Sequence, residues 1–432
     1  MKRLLTLLLV IAGLAVALVA LNLRGEASIP GTAIAPLTAA LPPTPGQIAR
    51  GNYLALLGDC RACHSTQGGT PYAGGRGVDT PFGTVYAPNL TPDDKTGIGS
   101  WTSAHFWRAL HNGRSRDGHL LYPAFPYPNY THVTRQDSDA IYAYLRSLAP
   151  VSQPNRPNTL RFPYDSQFSL AVWRALYFSP GQHVPDPARS GEWNRGAYLV
   201  QGLGHCNACH SSRNLLGATR GAMDLGGGLI PVQNWYAPSL SAAHEAGVAD
   251  WDTQQVVELL RKGVSPQAST LGPMAEVVFR STQYFSDDDL HAVAIYLKAL
   301  PPARARPKAL GSDAAQAASA RLFDQGAKIY EKQCASCHGD QGQGAAGAYP
   351  ALAGNRALQM NSSVNLVRVV VEGGFAPATA ANPRPYGMPP FATALNDEEI
   401  AAVVTFMRRS WGNGASPVSP LEVSRSRGPT IQ

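Results

Sequence analysis

The six cysteines of this 432-residue chain fall into three copies of one pentapeptide: Cys60-Arg-Ala-Cys63-His64, Cys206-Asn-Ala-Cys209-His210 and Cys334-Ala-Ser-Cys337-His338. Two thiols three positions apart, followed at once by an imidazole, have the chemistry for covalent haem attachment. Each thiol adds to a vinyl group, and the imidazole becomes the proximal ligand of the iron. A zinc site needs four ligands, usually from two pairs, and no second cysteine pair lies near any copy. A thioredoxin-like dithiol does not need the histidine each time. A disulfide framework would not place every cysteine in the same pentapeptide. The expectation is three covalently bound haem c groups, held by Cys60, Cys63, Cys206, Cys209, Cys334 and Cys337, with His64, His210 and His338 on the irons.

The elements that must position these motifs repeat with them. A Gly-led helical stretch precedes each motif: Gly51-Asn-Tyr53-Leu54, Gly196-Ala-Tyr198-Leu199 and Gly326-Ala-Lys-Ile-Tyr330. A second helix ends at glycine each time, over Ser103 to Gly113, Thr253 to Gly263 and Val364 to Gly373. The first two copies share a further signal, Tyr86-Ala-Pro88-Asn-Leu90 with Trp101 and Tyr236-Ala-Pro238-Ser-Leu240 with Trp251. A last helix begins after a polar, acidic cap at Asp137-Ser-Asp139, Ser286-Asp-Asp-Asp289 and Asn396-Asp-Glu-Glu399. Its apolar positions recur at helical spacing: Ile141, Tyr144, Leu145, Leu148; Val293, Tyr296, Leu297, Leu300; and Val403, Phe406, Met407.

The repeat also says where a second axial ligand should lie, on the loop after the middle helix's terminal glycine. A distal Met raises the potential of a haem, and His lowers it relative to Met. Of the six methionines, Met274 follows Gly263 in Gly272-Pro-Met274, and Met388 follows Gly373 in Tyr386-Gly-Met388-Pro-Pro390. These two are the expected distal ligands. Met407 aligns with Leu145 and Leu297 and reads as core, while Met223 and Met360 are weaker rivals. The first copy has no methionine. Phe125, in Tyr122-Pro-Ala-Phe125-Pro-Tyr127, fills the expected slot and cannot bind iron. Either His132 or His119 on the same loop binds there, or the site is open. His105 and His111 align with Gln255 and Arg261 and read as solvent-facing.

Composition sets the frame. The length suits about three domains of ordinary size. Charged residues are 15%, and Gly (42) and Pro (35) are plentiful, which suits compact domains with long loops. The formal net charge is +7, yet Lys2, Arg3 and Arg24 belong to the N-terminal segment. Each haem adds about two propionates, and no basic stripe is interleaved with aromatics, so a nucleic-acid partner is not expected. Residues 1–24 open with Lys2-Arg3 and run uncharged from Leu4 to Leu23. This segment reads as a signal peptide or an N-terminal membrane anchor, and it implies a location on the periplasmic side of the bacterial inner membrane.

Short helices around a haem, with the motif near the start and an aromatic in the closing helix, resemble the class I cytochrome c domain. The expected fold is all-α, three such domains in tandem at about 45–150, 190–302 and 319–412. Pro-rich links separate them, and a polar tail expected to be loose covers 413–432. Longer stretches carry a closer resemblance: Thr80-Pro-Phe-Gly-Thr-Val-Tyr-Ala-Pro-Asn-Leu-Thr91, Leu121-Tyr-Pro-Ala-Phe-Pro-Tyr127, Arg195 to Cys206 and Ser410-Trp-Gly-Asn413. With them the chain resembles the three-haem cytochrome c subunits of bacterial membrane-associated dehydrogenases. The resemblance implies an electron-transfer subunit that is not a catalyst by itself. It would take electrons from a catalytic dehydrogenase subunit carrying molybdopterin, flavin or a quinone cofactor. It would pass them to ubiquinone or a terminal oxidase. It also implies Met274 and Met388 as distal ligands. Phe125 and Trp173-Arg-Ala-Leu-Tyr-Phe-Ser-Pro180 look more like the branch that serves molybdenum hydroxylases. Two competing readings are a self-contained haem enzyme acting at an open first haem and a soluble electron shuttle.

Overall fold

The computed structural model describes residues 2–27, 42–219, 224–303 and 313–427. Met223, one of the weaker distal candidates, lies outside them. The chain is largely helical, and the helices follow the three motifs. The leading helices are Pro45–Leu57, Gly191–Ala197, which continues as a π-helical stretch over Tyr198–Leu203, and Asp313–Gln333. The middle helices are Ser103–Asn112, Thr253–Lys262 and Val364–Glu372. Each stops at a glycine with positive φ: 61° at Gly113, 75° at Gly263 and 68° at Gly373. A residue with a Cβ is disfavoured there, which makes glycine a stop signal.

The closing helices are Arg135–Ser147, Asp287–Lys298 and Asp397–Arg409. The second and third caps are the expected ones, Ser286 and Asn396, whereas the first helix starts earlier, at Thr134, so that the expected Asp137-Ser138-Asp139 lies inside it. Thr134 accepts from Asp137 N at 3.2 Å, Ser286 accepts from Asp289 N at 3.2 Å, and Asn396 forms a capping box with Glu399. Each cap is worth about 1 kcal/mol. The leading glycines explain how each closing helix is held. A Cβ on Gly51 would run into the Ala140 carbonyl and the Tyr144 Cβ. One on Gly196 would meet Ala292 and Tyr296, and one on Gly326 would meet Ala402 and Phe406. The helices therefore cross at backbone contact, with an aromatic one turn further on.

Two of the crossings carry the same ion pair. Arg50, next to Gly51, donates through Nε to buried Asp137 at 3.0 Å. Arg195, next to Gly196, makes two bonds of 2.7 and 2.8 Å to buried Asp289.

Short antiparallel pairings interrupt the helical plan. Gly77–Thr80 pairs with Gly83–Tyr86, which pairs with Thr159–Leu160 of the following link. Gly228–Ile230 pairs with Trp235–Ala237. Each of these hairpins leads into an Ala-Pro dipeptide used at the site below.

The residues group into two compact units, Met1–Ala188 with Ala197–Ala208 and Arg213–Ala222, and Arg189–Gly196 with Cys209–Ser212 and Met223–Gln432. The C-terminal tail corrects the sequence expectation. It is not loose over 413–427: Pro420–Ser426 is a helix, and Val418 and Val423 are fully buried in the core of Ile400, Val403 and Val404. Thr405 Oγ1 takes up Val418 N at 2.9 Å, and Arg427 pairs with Asp397 at 2.5 Å. Two valines suffice because the closing helix offers them a ready groove.

At the other end, Lys2–Ala27 is one helix, with a mean hydropathy of 2.5 over Arg3–Ala20. It is long and apolar enough to cross a bilayer.

Candidate haem-binding sites

Each motif closes into a tight turn: helical at Cys60–Cys63, 3-10 at Cys206–Ala208 and helical at Ala335–His338. None of the six cysteines is in a disulfide. Burial, with Asp59 and Cys63 adding to it, pushes the Cys60 thiol up to about 12. Burial likewise pushes Cys334 to about 11, with Cys63's counterpart Cys337 adding to it.

The three imidazoles are held in one way. His64 Nδ1 lies 2.8 Å from the Pro88 carbonyl, His210 Nδ1 2.7 Å from Pro238 O, and His338 Nδ1 3.1 Å from Pro350 O. A carbonyl only accepts, so Nδ1 carries the proton and donates. Nε2 is left with its lone pair as the metal-binding nitrogen. Burial lowers the pKa of all three rings, opposed by the bond to proline. They are therefore neutral at pH 7, the form a metal takes.

A glycine completes the arrangement. Gly74 N donates to His64 O at 2.9 Å, Gly227 N to His210 O at 2.9 Å and Gly344 N to His338 O at 2.8 Å. All three have positive φ. A Cβ on Gly74 would stand 2.5 Å from the Pro88 carbonyl carbon, and one on Gly344 2.7 Å from that of Pro350. One on Gly227 would stand 2.9 Å from the Pro238 carbonyl carbon.

Sequence reading missed these glycines and the third proline. The shared signal is Pro-x-Leu, at Pro88-Asn-Leu90, Pro238-Ser-Leu240 and Pro350-Ala-Leu352. It was hidden because His and Pro stand 24, 28 and 12 positions apart.

On the distal side the sites diverge. In the third, an apolar cavity has Cys334, His338, Pro350, Val370 and Met388 on its wall. Met388 sits on the short strand Gly387–Met388, paired with Gly374–Phe375, and Pro389 follows. The structure thus brings His338 and Met388 to one cavity, whose thioether, imidazole and thiol suit a covalently bound haem. Met407 borders it too and belongs to the core, as its alignment indicates, and Met360 is buried in that core. In the second, Met274 lies in the first turn of Pro273–Arg280. Gly272, before it, has φ 50° and lies against the Trp235 ring, where a Cβ would collide.

In the first site, Phe125 packs 5.3 Å from the Tyr130 ring. Tyr130 is buried, donates to Gly58 O at 2.9 Å, and has its pKa raised by burial and then by Cys60 and Cys63. His119 is on an exposed turn, its Nδ1 2.5 Å from Asp117. His132 is half-buried, with its Cβ facing Gly202, and its carbonyl accepts from His183 N at 3.2 Å. His111 corrects the sequence expectation. It is 4% exposed, stacks on Trp107 and bonds Thr131 O at 2.8 Å through Nδ1. The alignment with Arg261 failed because an imidazole is compact enough to turn inward where an arginine reaches for solvent.

Comparison with known proteins places this geometry. The Cytochrome c family matches residues 48–149 and 323–411. The chain is 39% identical over 396 residues to the "Alcohol dehydrogenase (quinone), cytochrome c subunit" of Gluconacetobacter polyoxogenes, covering 88% of this chain and 84% of that protein. It is 38% identical to the "Gluconate 2-dehydrogenase cytochrome c subunit" of Pantoea cypripedii, covering 85% and 86%. It is 40% identical to one subunit of the nicotinate dehydrogenase of Pseudomonas putida, covering 87% of this chain and 31% of that protein. Paired thiols beside an oriented, neutral imidazole, together with relatives of matching length, show that the chain belongs to the family of cytochrome c subunits of bacterial dehydrogenases.

Proposed function

We propose that this chain is the electron-transfer subunit of a dehydrogenase complex, with three covalent haem c groups in three tandem cytochrome c domains at about 45–150, 190–302 and 319–412. The three histidines held alike by Pro88, Pro238 and Pro350 carry this reading. The cysteines Cys60, Cys63, Cys206, Cys209, Cys334 and Cys337 would form the thioethers. His64, His210 and His338 would be the proximal ligands, with Met274 and Met388 distal in the second and third. A bound haem supplies one-electron storage, and the protein sets its potential, burial and distance. The chain's own part is to keep Nδ1 protonated on a fixed carbonyl and to wall the ring from water.

The electron donor is a separate catalytic subunit carrying a quinone cofactor, flavin or molybdopterin, and the acceptor is ubiquinone or a terminal oxidase. The names of the relatives support a dehydrogenase partner. The N-terminal helix supports placement at the periplasmic face of the inner membrane, as an anchor or as an export signal. The test is to purify the full-length chain with its partner. A pyridine haemochrome assay should give three haems per chain. The complex's substrate should reduce them anaerobically. Two haems, or a chain that copurifies with no dehydrogenase, would overturn the reading.

For the first iron, His132 is the better-placed distal ligand, because His119 is exposed and already paired with Asp117. His132→Ala should let the reduced protein bind carbon monoxide at one haem where the parent binds none. Carbon monoxide binding by the parent itself would favour the second reading, small-molecule chemistry at an open first haem, for which Phe125 in the methionine slot is the supporting observation.

A further inference from the structure

Within the first unit, the loop that follows the first middle helix is bonded directly to the start of the second motif. Gly58, two residues before Cys60, presents its carbonyl to two donors: Tyr130 Oη at 2.9 Å and His205 Nε2 at 3.3 Å. His205 is the residue immediately before Cys206. The two donors' rings meet edge to face, with centroids 5.5 Å apart at 89°.

Gly58 allows the approach. A Cβ there would stand 3.1 Å from Leu203 Cδ1 and 3.4 Å from Cys60 Sγ. Next to Tyr130, buried Asn129 gives its Nδ2 to Gln201 O at 2.7 Å and to Asn207 Oδ1 at 2.5 Å. Asn207 lies inside the second attachment motif. His205 adopts φ 39°, a conformation that a residue with a Cβ rarely takes without a reason. One carbonyl beside the first motif, one ring beside the second and one tyrosine touching both sites make a specific polar contact, where plain domain packing would need only apolar surface.

We infer that His205, Tyr130 and Gly58 form a positioning bridge that holds the Cys60 and Cys206 attachment edges together and sets the rate of electron exchange between the first and second haems. The inference rests on the proposed three-haem reading. Exchange moves one electron from a ferrous centre to a ferric one, with no proton transferred and no bond made or broken. His205 and Tyr130 are positioning residues, since neither ligates iron.

The experiment uses the isolated full-length holoprotein, so it does not depend on any partner dehydrogenase. A photoexcited ruthenium(II) polypyridyl complex with a sacrificial amine donor injects less than one electron per chain. Redistribution is followed by absorbance, using the absence of a methionine–iron band to separate the first haem from the others. His205→Leu should lose the fast redistribution phase between the first and second haems, while spectropotentiometry finds all three midpoint potentials unchanged.

Tyr130→Phe, which removes one hydroxyl, should slow that phase without abolishing it, and it carries the test alone if His205→Leu does not fold. Leu421→Ala, at an exposed position of the tail helix Pro420–Ser426, is the control and should leave this phase intact. Unchanged redistribution in both variants overturns the inference, as does a change explained entirely by shifted potentials. Failure of a dehydrogenase to reduce the chain would strike the functional reading and leave this one standing.

Discussion

The first and third sites share a proximal half and differ in the distal half. In both, a neutral imidazole hangs from a proline carbonyl, a glycine backs it, and a leading glycine lets the closing helix cross. Beyond that the third offers Met388 on an apolar cavity. The first offers Phe125, an exposed His119 and a half-buried His132. On the proposed reading, the scaffold holds a haem in each and the loop after the middle helix sets its potential.

The largest effect should come from exchanging the distal residues. Met388→Phe removes the third site's thioether, and its midpoint potential should fall by a sizeable part of the roughly 0.8 V that axial ligation spans. The methionine–iron absorption band should lose one haem's worth of intensity. Phe125→Met should add one and raise the first potential. If Met388→Phe leaves spectrum and potential unchanged, the distal residue is not what separates the two sites.

The shared frame is tested next. Gly51→Ala and Gly326→Ala each drive a methyl into a backbone carbonyl. Each should cost about 3 kcal/mol in denaturant titration, since neither backbone can retreat. Unequal costs would show that the two crossings are not equivalent. A smaller effect separates the first two segments from the third. Asp137→Ala removes the acceptor of Arg50 and of the buried Tyr198 hydroxyl, Asp289→Ala removes that of Arg195, and each should cost about 2 kcal/mol. No such arginine precedes Gly326, where Gln325 stands.

The smallest effect is one of pH. Burial holds the His111 pKa below its ordinary value, the Thr131 carbonyl opposes this, and His132 adds to the lowering. The folded imidazole stays neutral while the unfolded one takes up a proton below about pH 6.5. Stability should therefore be level above that point and fall beneath it, because the unfolded state binds more protons there. His111→Gln should flatten the acid side of the stability curve. An unchanged slope would mean that His111 titrates freely.

Much of the shared frame is legible in the sequence. The attachment motifs are local chemistry. The middle-helix stops are single glycines, and the closing-helix caps are three or four polar residues in a row. Each is decided by neighbours in the chain.

The features that are not legible there depend on distant partners. Gly74, Gly227 and Gly344 look like ordinary loop glycines until the proline segments lie on them. Pro350 follows its histidine at no more than half the spacing of the other two, because the third segment lacks their hairpin. The burial of Val418 and Val423 needs the groove of the closing helix, which no window of the tail reveals. His111 turns inward because Trp107 and Thr131 receive it.

Each of these histidines is held at two points, its ring by a proline carbonyl and its own carbonyl by a glycine N–H, and both partners are main-chain atoms. A point mutation can delete a side chain but not a peptide group. Apart from the glycine whose bareness admits the proline, this grip is indifferent to the identity of the residues that make it. A repeated segment therefore keeps this grip as long as its histidine and its glycine are kept, whatever side chains surround them. Change is then free to fall on the opposite loop, which is where the first and third segments differ, with Phe125 in one and Met388 in the other.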